Sequence, residues 1–334
     1  MAVRTASAVP AARLRLPGLR RALLPIAEAR GFAKAMLWVG AAITAFFVVL
    51  AIFAPLISPY AFDQYQSHGH RFPQLAHPGH GHIMGTTVQS VDVLARVIYG
   101  SQTELKVVFL ALVFSLTIGV PIGLVSGYFG GWIDRVLVLI MDALFAFPYL
   151  LLAIVIAFLL SGTVGSGVFT AAIAITVVYI PQYFRVVRNH VISVREEPYV
   201  EAARALGAKP GTIIRRYVLF NVVQNVPVIA TLNAADAILT LAGLGFLGYG
   251  IQPSEAAEWG YDIQRAVSDA SSGIWWAGLF PGLAIVLLVT GLTLLGEGLN
   301  ETINPVLRRR RIERVVMGPL SDEATTAVEE AAGI

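Results

Sequence analysis

The sequence predicts an all-α polytopic membrane protein with six transmembrane helices and both termini in the cytoplasm. Of the 334 residues, 13% are charged and 56% are hydrophobic, and the mean hydropathy is +0.71. Soluble domains average about 25% charged residues, so this chain has too few polar side chains to cover a water-facing surface. Two further observations, the long uncharged stretches and the placement of the arginines, define the helices and their orientation.

Six stretches are apolar and long enough to cross a bilayer, which takes roughly 20 residues. They predict helices near 35–57, 104–127, 136–160, 168–186, 221–247 and 277–299. Glycine and serine residues within 161–167 favour a turn and separate the third helix from the fourth.

Arginine and lysine accumulate on one side of these helices. The N-terminal segment, the segment between the fourth and fifth helices and the C-terminal segment hold most of them. The other side has Arg71, Arg96 and Arg265, with Lys106 at the start of the second helix. Basic residues mark the cytoplasmic side, where anionic headgroups make membrane lipid the expected partner. Nucleic acid is not expected, because the arginines adjoin hydrophobic spans without interleaved aromatic residues.

These features divide the chain into five parts. In chain order, the parts are a cytoplasmic N-terminal segment expected to be disordered (1–33), the first transmembrane helix (34–57), an extracytoplasmic loop (58–103), a core of five transmembrane helices (104–305) with a cytoplasmic loop at 190–220, and a cytoplasmic tail (306–334).

Residues needed for several kinds of chemistry are missing from the sequence. There are no cysteines, which excludes disulfides, thiolate catalysis and cysteine-based metal clusters. A phosphate-binding P-loop needs lysine followed by serine or threonine, but Lys34, Lys106 and Lys209 precede alanine, valine and proline. No Ser/His/Asp constellation supports hydrolysis. We therefore expect a chain that is not an enzyme and binds no cofactor, with energy supplied by a partner or an ion gradient.

The segment between the fourth and fifth helices has the pattern of two short helices joined by a tight turn. Pro198 suits the first turn of a helix and Gly207 suits its end, while Pro210 can open a second helix. Ala202 and Ala203 give a side that another protein's backbone could approach closely. From spacing alone, an ordinary amphipathic linker on the membrane face is an equal interpretation.

The run Glu201-Ala202-Ala203, three residues and then Gly207 resembles the EAA loop of ABC-importer permeases. This chain departs from the family pattern at Phe220, where proline is usual, and at 87–91, which replace an acidic residue and a Gly-Arg pair. The resemblance runs from about residue 82 to residue 305. Within it, segments similar to the C-type permease subunit of dipeptide, oligopeptide and nickel importers follow in the same order at 82–86, 92–100, 127–134, 142–148, 245–260 and 280–284.

The resemblance implies the ABC importer type I permease fold, with this chain forming half of a translocation pathway and a second, homologous permease subunit forming the rest. Two ATPase subunits or domains would carry ATP and Mg, and an extracytoplasmic solute-binding protein would deliver the solute. The implied location is the plasma (inner) membrane of a prokaryote. The residues implied to couple this chain to the ATPases are Glu201, Ala202, Ala203, Leu206 and Gly207.

The resemblance indicates import of dipeptides or oligopeptides, and three alternatives stay open. A permease of the same family could import nickel or a metal complex. A gradient-driven secondary transporter or channel would need no ATPase, although inverted repeats, which would favour it, are not evident. A non-transporting scaffold would use the cytoplasmic loop as a generic docking site.

Five of the six histidines fall in the predicted extracytoplasmic loop. Neighbouring imidazoles can bind nickel, copper or zinc, so this cluster bears on the nickel alternative. The glycines and proline between them indicate a flexible loop, and the spacing fits no closed site, so we expect no metal. The candidates, if a metal does bind, are His68, His70, His77, His80 and His82.

Acidic residues within or at the ends of predicted spans are few, and such groups usually face a bundle interior or water. One interpretation puts Asp142 and Asp236 along the translocation pathway, with Asn233 one helical turn before Asp236 on the same face. The other makes them solvated helix-end groups or partners of a nearby arginine. Arg135 is the expected partner of Asp134.

Overall fold

The computed structural model of the protein describes residues 31–165 and 167–303, so the predictions for 1–30 and 304–334 lie outside the described residues. The two short strands pair antiparallel. The helices and strands, in chain order, are α1 (Gly31–Ile52), α2 (Ala54–Ile57), β1 (Gln66–Ser67), β2 (His70–Arg71), α3 (Val93–Phe129), α4 (Gly131–Phe145), α5 (Tyr149–Val164), α6 (Val168–Val194), α7 (Pro198–Ala205), α8 (Pro210–Ile213), α9 (Leu219–Val222), α10 (Val226–Phe246), α11 (Trp259–Ala270) and α12 (Trp276–Ile303).

Within the described residues, five helices are long and apolar enough to cross a membrane, namely α1, α3, α6, α10 and α12. Helices α4 and α5 meet the same criterion together, with a bend of 95° between them, and as one broken span they complete a set of six. The predicted all-α fold with six spans is thereby confirmed. Segments 53–92 and 247–275 lie at the end predicted to be extracytoplasmic, called the outer end below, and 195–225 lies at the inner end.

Helix α3 begins at Val93, earlier than the helix near 104–127 and the boundary at residue 104 that the sequence predicts. The side chain of Asp92 accepts a hydrogen bond from the Ala95 N–H at 2.8 Å, which caps the helix at this point. The first turns carry polar side chains, including Arg96 and Glu104, that are buried in protein. A search for uncharged stretches therefore places the start of this helix too late.

A break at 146–148 separates α4 from α5, where the sequence predicts one helix near 136–160. Pro148 stands directly before α5, and a proline disfavours the α conformation of the residue that precedes it. The residues on both sides of the break are apolar, so the hydropathy pattern alone does not reveal the bend.

Helix α11 is a 12-residue helix at the outer end that the sequence interpretation lacks. Its Trp259 and Ala266 are buried in the core, while Arg265 and Val267 are exposed on the opposite face. The helix packs on α12, α10 and α3. Charged residues interrupt this segment, so the uncharged stretches of the sequence do not predict this helix.

Helices α3 and α6 pack closely through a row of glycines on α3. A Cβ atom placed on Gly123 or Gly127 would stand 2.8 Å from a backbone carbonyl oxygen of α6 and within 2.9 Å of the side chain of Val187 or Val191. Gly119 occupies the same face one turn earlier, where an added Cβ would stand 2.9 Å from Tyr183. Small residues at four-residue spacing allow helix backbones to approach within a membrane, so α3 and α6 are held together tightly.

Candidate coupling segment and translocation pocket

The segment between α6 and α10, called the coupling segment, begins with α7 and a tight turn. Gly207 has φ +81°, as the sequence predicted for the end of this helix. The Ala208 N–H donates to the Ala203 carbonyl at 3.1 Å and the Gly207 N–H donates to the Arg204 carbonyl at 3.0 Å. These two bonds satisfy carbonyls at the end of α7 and fix the direction of the chain beyond it.

The five residues of the EAA motif do not share one free face. Ala203 is buried within its own chain, whereas Glu201 and Ala202 are exposed. Leu206 at the tip is 88% exposed, and Gly207 is also exposed. The exposed surface of this part of the segment is therefore made by Glu201, Ala202, Leu206 and Gly207, while Ala203 packs beneath it.

An apolar base joins the coupling segment to the inner ends of the spans. Val200 and Ile213 of the segment are buried in one cluster with Leu124 of α3 and with Val187 and Val191 of α6. A hydrogen bond from the guanidinium of Arg195 to the carbonyl of Gly127, at 2.9 Å, adds a polar connection to α3. This shared packing ties the segment to the inner ends of α3 and α6.

Beyond α8 the chain continues into α10 through irregular helical turns. Residues Ile214–Val218 form a π-helical turn and Val223–Asn225 a 3₁₀ turn. Phe220, which stands where the family has proline, is exposed within α9. Basic residues face outward beside it, and a surface depression of about 600 Å³ is lined by Lys209, Gly211, Thr212, Arg215 and Arg216.

A pocket of about 220 Å³ lies at the break between α4 and α5, in the middle of the bundle. Asp236 and Gln182 are its hydrophilic side chains, and Tyr149 and Tyr179 add aromatic walls with hydroxyl groups. The Tyr179 hydroxyl lies 3.3 Å from the hydroxyl of Thr240. The remaining lining is apolar and comes from Leu144, Phe145, Phe147, Pro148, Leu152 and Val178.

The structure separates the other two predicted pathway residues from this pocket. Asn233 does not line it and is buried instead beside the hydroxyl of Tyr183. Asp142 also lies outside the lining, and its Oδ1 accepts a hydrogen bond from Arg185 at 3.0 Å. The guanidinium of Arg185 stands 4.2 Å above the ring of Phe145.

The partner of Asp134 is Arg188 rather than Arg135. Nε and Nη2 of Arg188 donate to the two carboxylate oxygens of Asp134 at 2.5 and 2.7 Å, and the Ser126 hydroxyl donates at 2.5 Å. The expectation that Arg135 fills this role is wrong, because adjacent residues on a helix point in different directions. The observed pair joins α4 to α6 near the inner end.

The histidines of the outer segment do not converge. His82 is buried and its Nδ1 lies 2.7 Å from Oδ2 of Asp92, while the ring of His77 packs on Trp276 with centroids 4.5 Å apart. His70 lies exposed on β2 and His68 has φ +50° in the hairpin turn. In the described parts of the chain, no three His, Asp or Glu side chains are close enough together to hold a metal ion.

The outer end contains a buried polar cluster that sequence reasoning missed. Nε of Arg96 on α3 donates to Oδ1 of Asp262 on α11 at 2.6 Å, with both side chains almost fully buried. Burial raises the pKa of Asp262, and the Arg96 guanidinium opposes that shift. Glu104 and Glu258 are fully buried nearby. The sequence does give one sign of this cluster. A glutamate and a lysine stand within one helical turn, at 104–106, where the second predicted helix begins.

A bundle of six spans with a partly polar pocket at mid-depth and a segment of short helices at its inner end has the architecture of a polytopic membrane permease. Two family models match the chain. The binding-protein-dependent transport system inner membrane component matches residues 119–309. The N-terminal transmembrane domain of oligopeptide transport permease C matches residues 32–78.

Curated relatives agree with these matches. The chain is 38% identical over 273 residues to the dipeptide transport system permease protein DppC of Alkalihalophilus pseudofirmus, covering 81% of this chain and 86% of that protein. It is 33% identical to the glutathione transport system permease protein GsiD of Pectobacterium atrosepticum, covering 78% of this chain and 84% of the relative. The chain therefore belongs to the inner-membrane permease family of binding-protein-dependent ABC importers.

A solved structure supports the fold. A chain of the MetNI methionine ABC transporter, captured in inward-facing conformations, superposes with a TM-score of 0.51 at 22% sequence identity and covers 64% of this chain and 96% of its own length. The predicted type I permease fold and multi-pass inner-membrane location are confirmed. Members of this family are transport permeases that work with ATPase subunits and further permease subunits.

Proposed function

We propose that this chain forms half of the translocation pathway of an ATP-driven importer of dipeptides or oligopeptides. The observation that carries the substrate class is the 38% identity, over most of both chains, to a dipeptide transport permease. Similarity to glutathione transport permeases is consistent with it, since glutathione is itself a short peptide.

The pocket at the α4–α5 break has chemistry suited to a short peptide. The carboxylate of Asp236 can pair with a peptide's α-amino group, and Gln182 can donate to or accept from peptide bonds. The tyrosines and apolar side chains provide contact surface without selecting one side chain. A pocket of this kind favours the shared backbone features of peptides over their individual side chains.

Coupling to the ATPases is assigned to the exposed residues of the coupling segment, Glu201, Ala202, Leu206 and Gly207, with Ala203 beneath them. Two ATPase subunits or domains would supply ATP and Mg, and a second homologous permease would complete the pathway. Closure of the ATPases on ATP would move the coupling segments together. The apolar base formed with α3 and α6 would transmit that movement to the spans.

Solute would reach the outer end on an extracytoplasmic solute-binding protein. A pathway with a small, unselective pocket depends on the binding protein to select the solute, because selection then takes place before translocation. The family description, which names dependence on a binding protein, supports this partner.

The test is reconstitution of this chain in vesicles with the second permease, the ATPase subunits and the solute-binding protein of the same importer. We expect ATP-dependent uptake of a labelled dipeptide, and ATP hydrolysis that rises when the binding protein is loaded. Peptide uptake that persists without ATP would favour a gradient-driven transporter. Uptake of nickel but not peptide would favour the metal alternative, and neither uptake nor stimulation would favour a scaffold.

A further inference from the structure

Two buried glutamates meet where the N-terminus of α11 is seated on α3. Both Glu104 and Glu258 have no exposed surface, and their carboxyl groups lie against each other. The oxygens of Glu258 accept hydrogen bonds from the N–H groups of Gly260 at 2.7 Å and Tyr261 at 2.8 Å. Among the described residues, the backbone N–H of Trp259 is the donor next to the Glu104 carboxyl, and neither oxygen of Glu104 has a partner with full hydrogen-bond geometry.

The charged groups around this pair do not neutralise it. Asp262 of α11 is a further buried acid and adds to the negative charge that acts on both glutamates. Arg96 of α3 is the nearby cation, but its Nε donates to Asp262 and its Nη1 donates to the carbonyl of Phe62. The facing part of α10 is Gly245, and α1 contributes Phe47 against Trp259, so neither helix supplies a charge at these contacts.

The packing leaves the pair no room to separate while α11 stays in place. A Cβ atom on Gly245 would stand 1.7 Å from a carboxylate oxygen of Glu258, and one on Gly260 would stand 2.1 Å from the Ala242 carbonyl oxygen. The indole N–H of Trp259 also donates to the Val97 carbonyl at 3.2 Å, on the same face of α3 as Glu104 and about two helical turns before it. Relief of repulsion between the two glutamates therefore requires movement of α11 as a whole.

Two carboxylates in contact and out of water cannot both be ionised at low cost, and such pairs hold one proton between them. The backbone N–H groups at the start of α11 stabilise Glu258 as the anion. Glu104, which only the backbone N–H of Trp259 approaches, is then the group that carries the proton, and its O–H donates a hydrogen bond to Glu258. Burial raises the pKa of Glu258 to about 8, so the pair holds a proton at neutral pH and both carboxyls are ionised only in alkaline solution.

We propose that Glu104 and Glu258 form a proton-binding site at the outer end, and that the bound proton fastens α11 to α3. Loss of that proton leaves two facing negative charges and loosens α11 from the bundle. Because α11 forms part of the outer face, external alkalinity then alters the surface that receives the solute-binding protein. The site and its proton belong to this chain alone, so its test does not depend on the proposed transport function.

The direct test is infrared spectroscopy of the purified, assembled complex between pH 6 and pH 10. We expect a carbonyl-stretch band from a protonated carboxyl at pH 7 that is lost as the pH rises above 8, shifts on ¹³C-glutamate labelling and is absent from the Glu104→Gln variant. The matched control is Glu196→Gln, which alters an exposed glutamate and should leave the band unchanged. Absence of a glutamate carboxyl band at pH 7 in the wild-type complex would overturn the proposal.

A second test measures whether α11 loosens, using the absence of native cysteines. Ala266→Cys places a thiol on the buried face of α11, and Ser268→Cys places one on its exposed face. The ratio of their labelling rates removes the intrinsic pH dependence of thiol reactivity. We expect this ratio to rise by up to about tenfold per pH unit as the proton is lost above pH 8 and to stay constant when Glu104→Gln is added. A ratio independent of pH in the otherwise native background would contradict the proposal.

Discussion

Leu206 at the tip of the coupling segment is 88% exposed, the highest value among the large apolar side chains that the structure describes. If this leucine is buried by an ATPase subunit, Leu206→Ala removes about three carbon groups from the interface. Each buried carbon group is worth about 0.8 kcal/mol, so truncation of a side chain exposed to this degree should cost about 2 kcal/mol of binding free energy. That loss corresponds to about thirtyfold weaker binding of the ATPase.

The assay is titration of purified ATPase subunit onto the permease pair in lipid nanodiscs, with the dissociation constant as readout. Leu56→Ala is the matched control, because Leu56 is 82% exposed but lies at the outer end. Since neither side chain is packed inside the chain, both variants should insert and fold like the wild type. Equal dissociation constants for the wild type and both variants would refute the assignment of this tip to the ATPase interface.

Four further predictions address other parts of the molecule. Gly207→Val forces a β-branched residue to φ +81°, at a cost of about 1–2 kcal/mol, and should lower the amount of ATPase that copurifies while leaving membrane insertion unchanged. Single cysteines at Thr212 and Gln74 should be labelled by an impermeant reagent on intact cells only at Gln74, and the opposite pattern would invert the topology. Asp236→Asn should raise the apparent KM for dipeptide uptake by about tenfold, the loss expected for a charge-assisted hydrogen bond, with basal ATP hydrolysis unchanged. Peptide uptake should be little changed when the diverging histidines are replaced together, and loss of nickel uptake at normal expression would instead support the metal alternative; the replacement set is His68, His70, His77 and His80.

The spans could be predicted because residues that face lipid must be apolar. Long uncharged stretches were enough to place α1, α10 and α12 to within five residues of their observed ends, whereas α6 starts as predicted but continues to Val194, eight residues beyond its predicted end. The first turns of α3 and the whole of α11 could not be found this way, since their polar residues are buried against each other. Recognition of those parts depends on partners such as Arg96 and Asp262, which are distant in sequence.

The features of the candidate site also divide into those that local sequence rules predict and those that depend on tertiary packing. The turn at Gly207 follows from local rules for helix ends and was predicted correctly. The inward orientation of Ala203 and the separation of Asn233 from Asp236 depend on which neighbours each helix face meets. One helical turn of spacing places two residues near each other, but it does not make both line the same pocket.

The glycine contacts between α3 and α6 have a mechanical consequence for the bundle. A helix of 27 residues such as α6 is about 40 Å long, and a tilt of about 10° around its centre would carry each end about 3.5 Å in opposite directions. Because the α3 glycines let that helix pack closely against α6, the pair would tilt as a single lever rather than slide. A displacement of a few ångströms at Val191, beside the coupling segment, would then produce a displacement in the opposite direction at Val168, on the far side of the membrane.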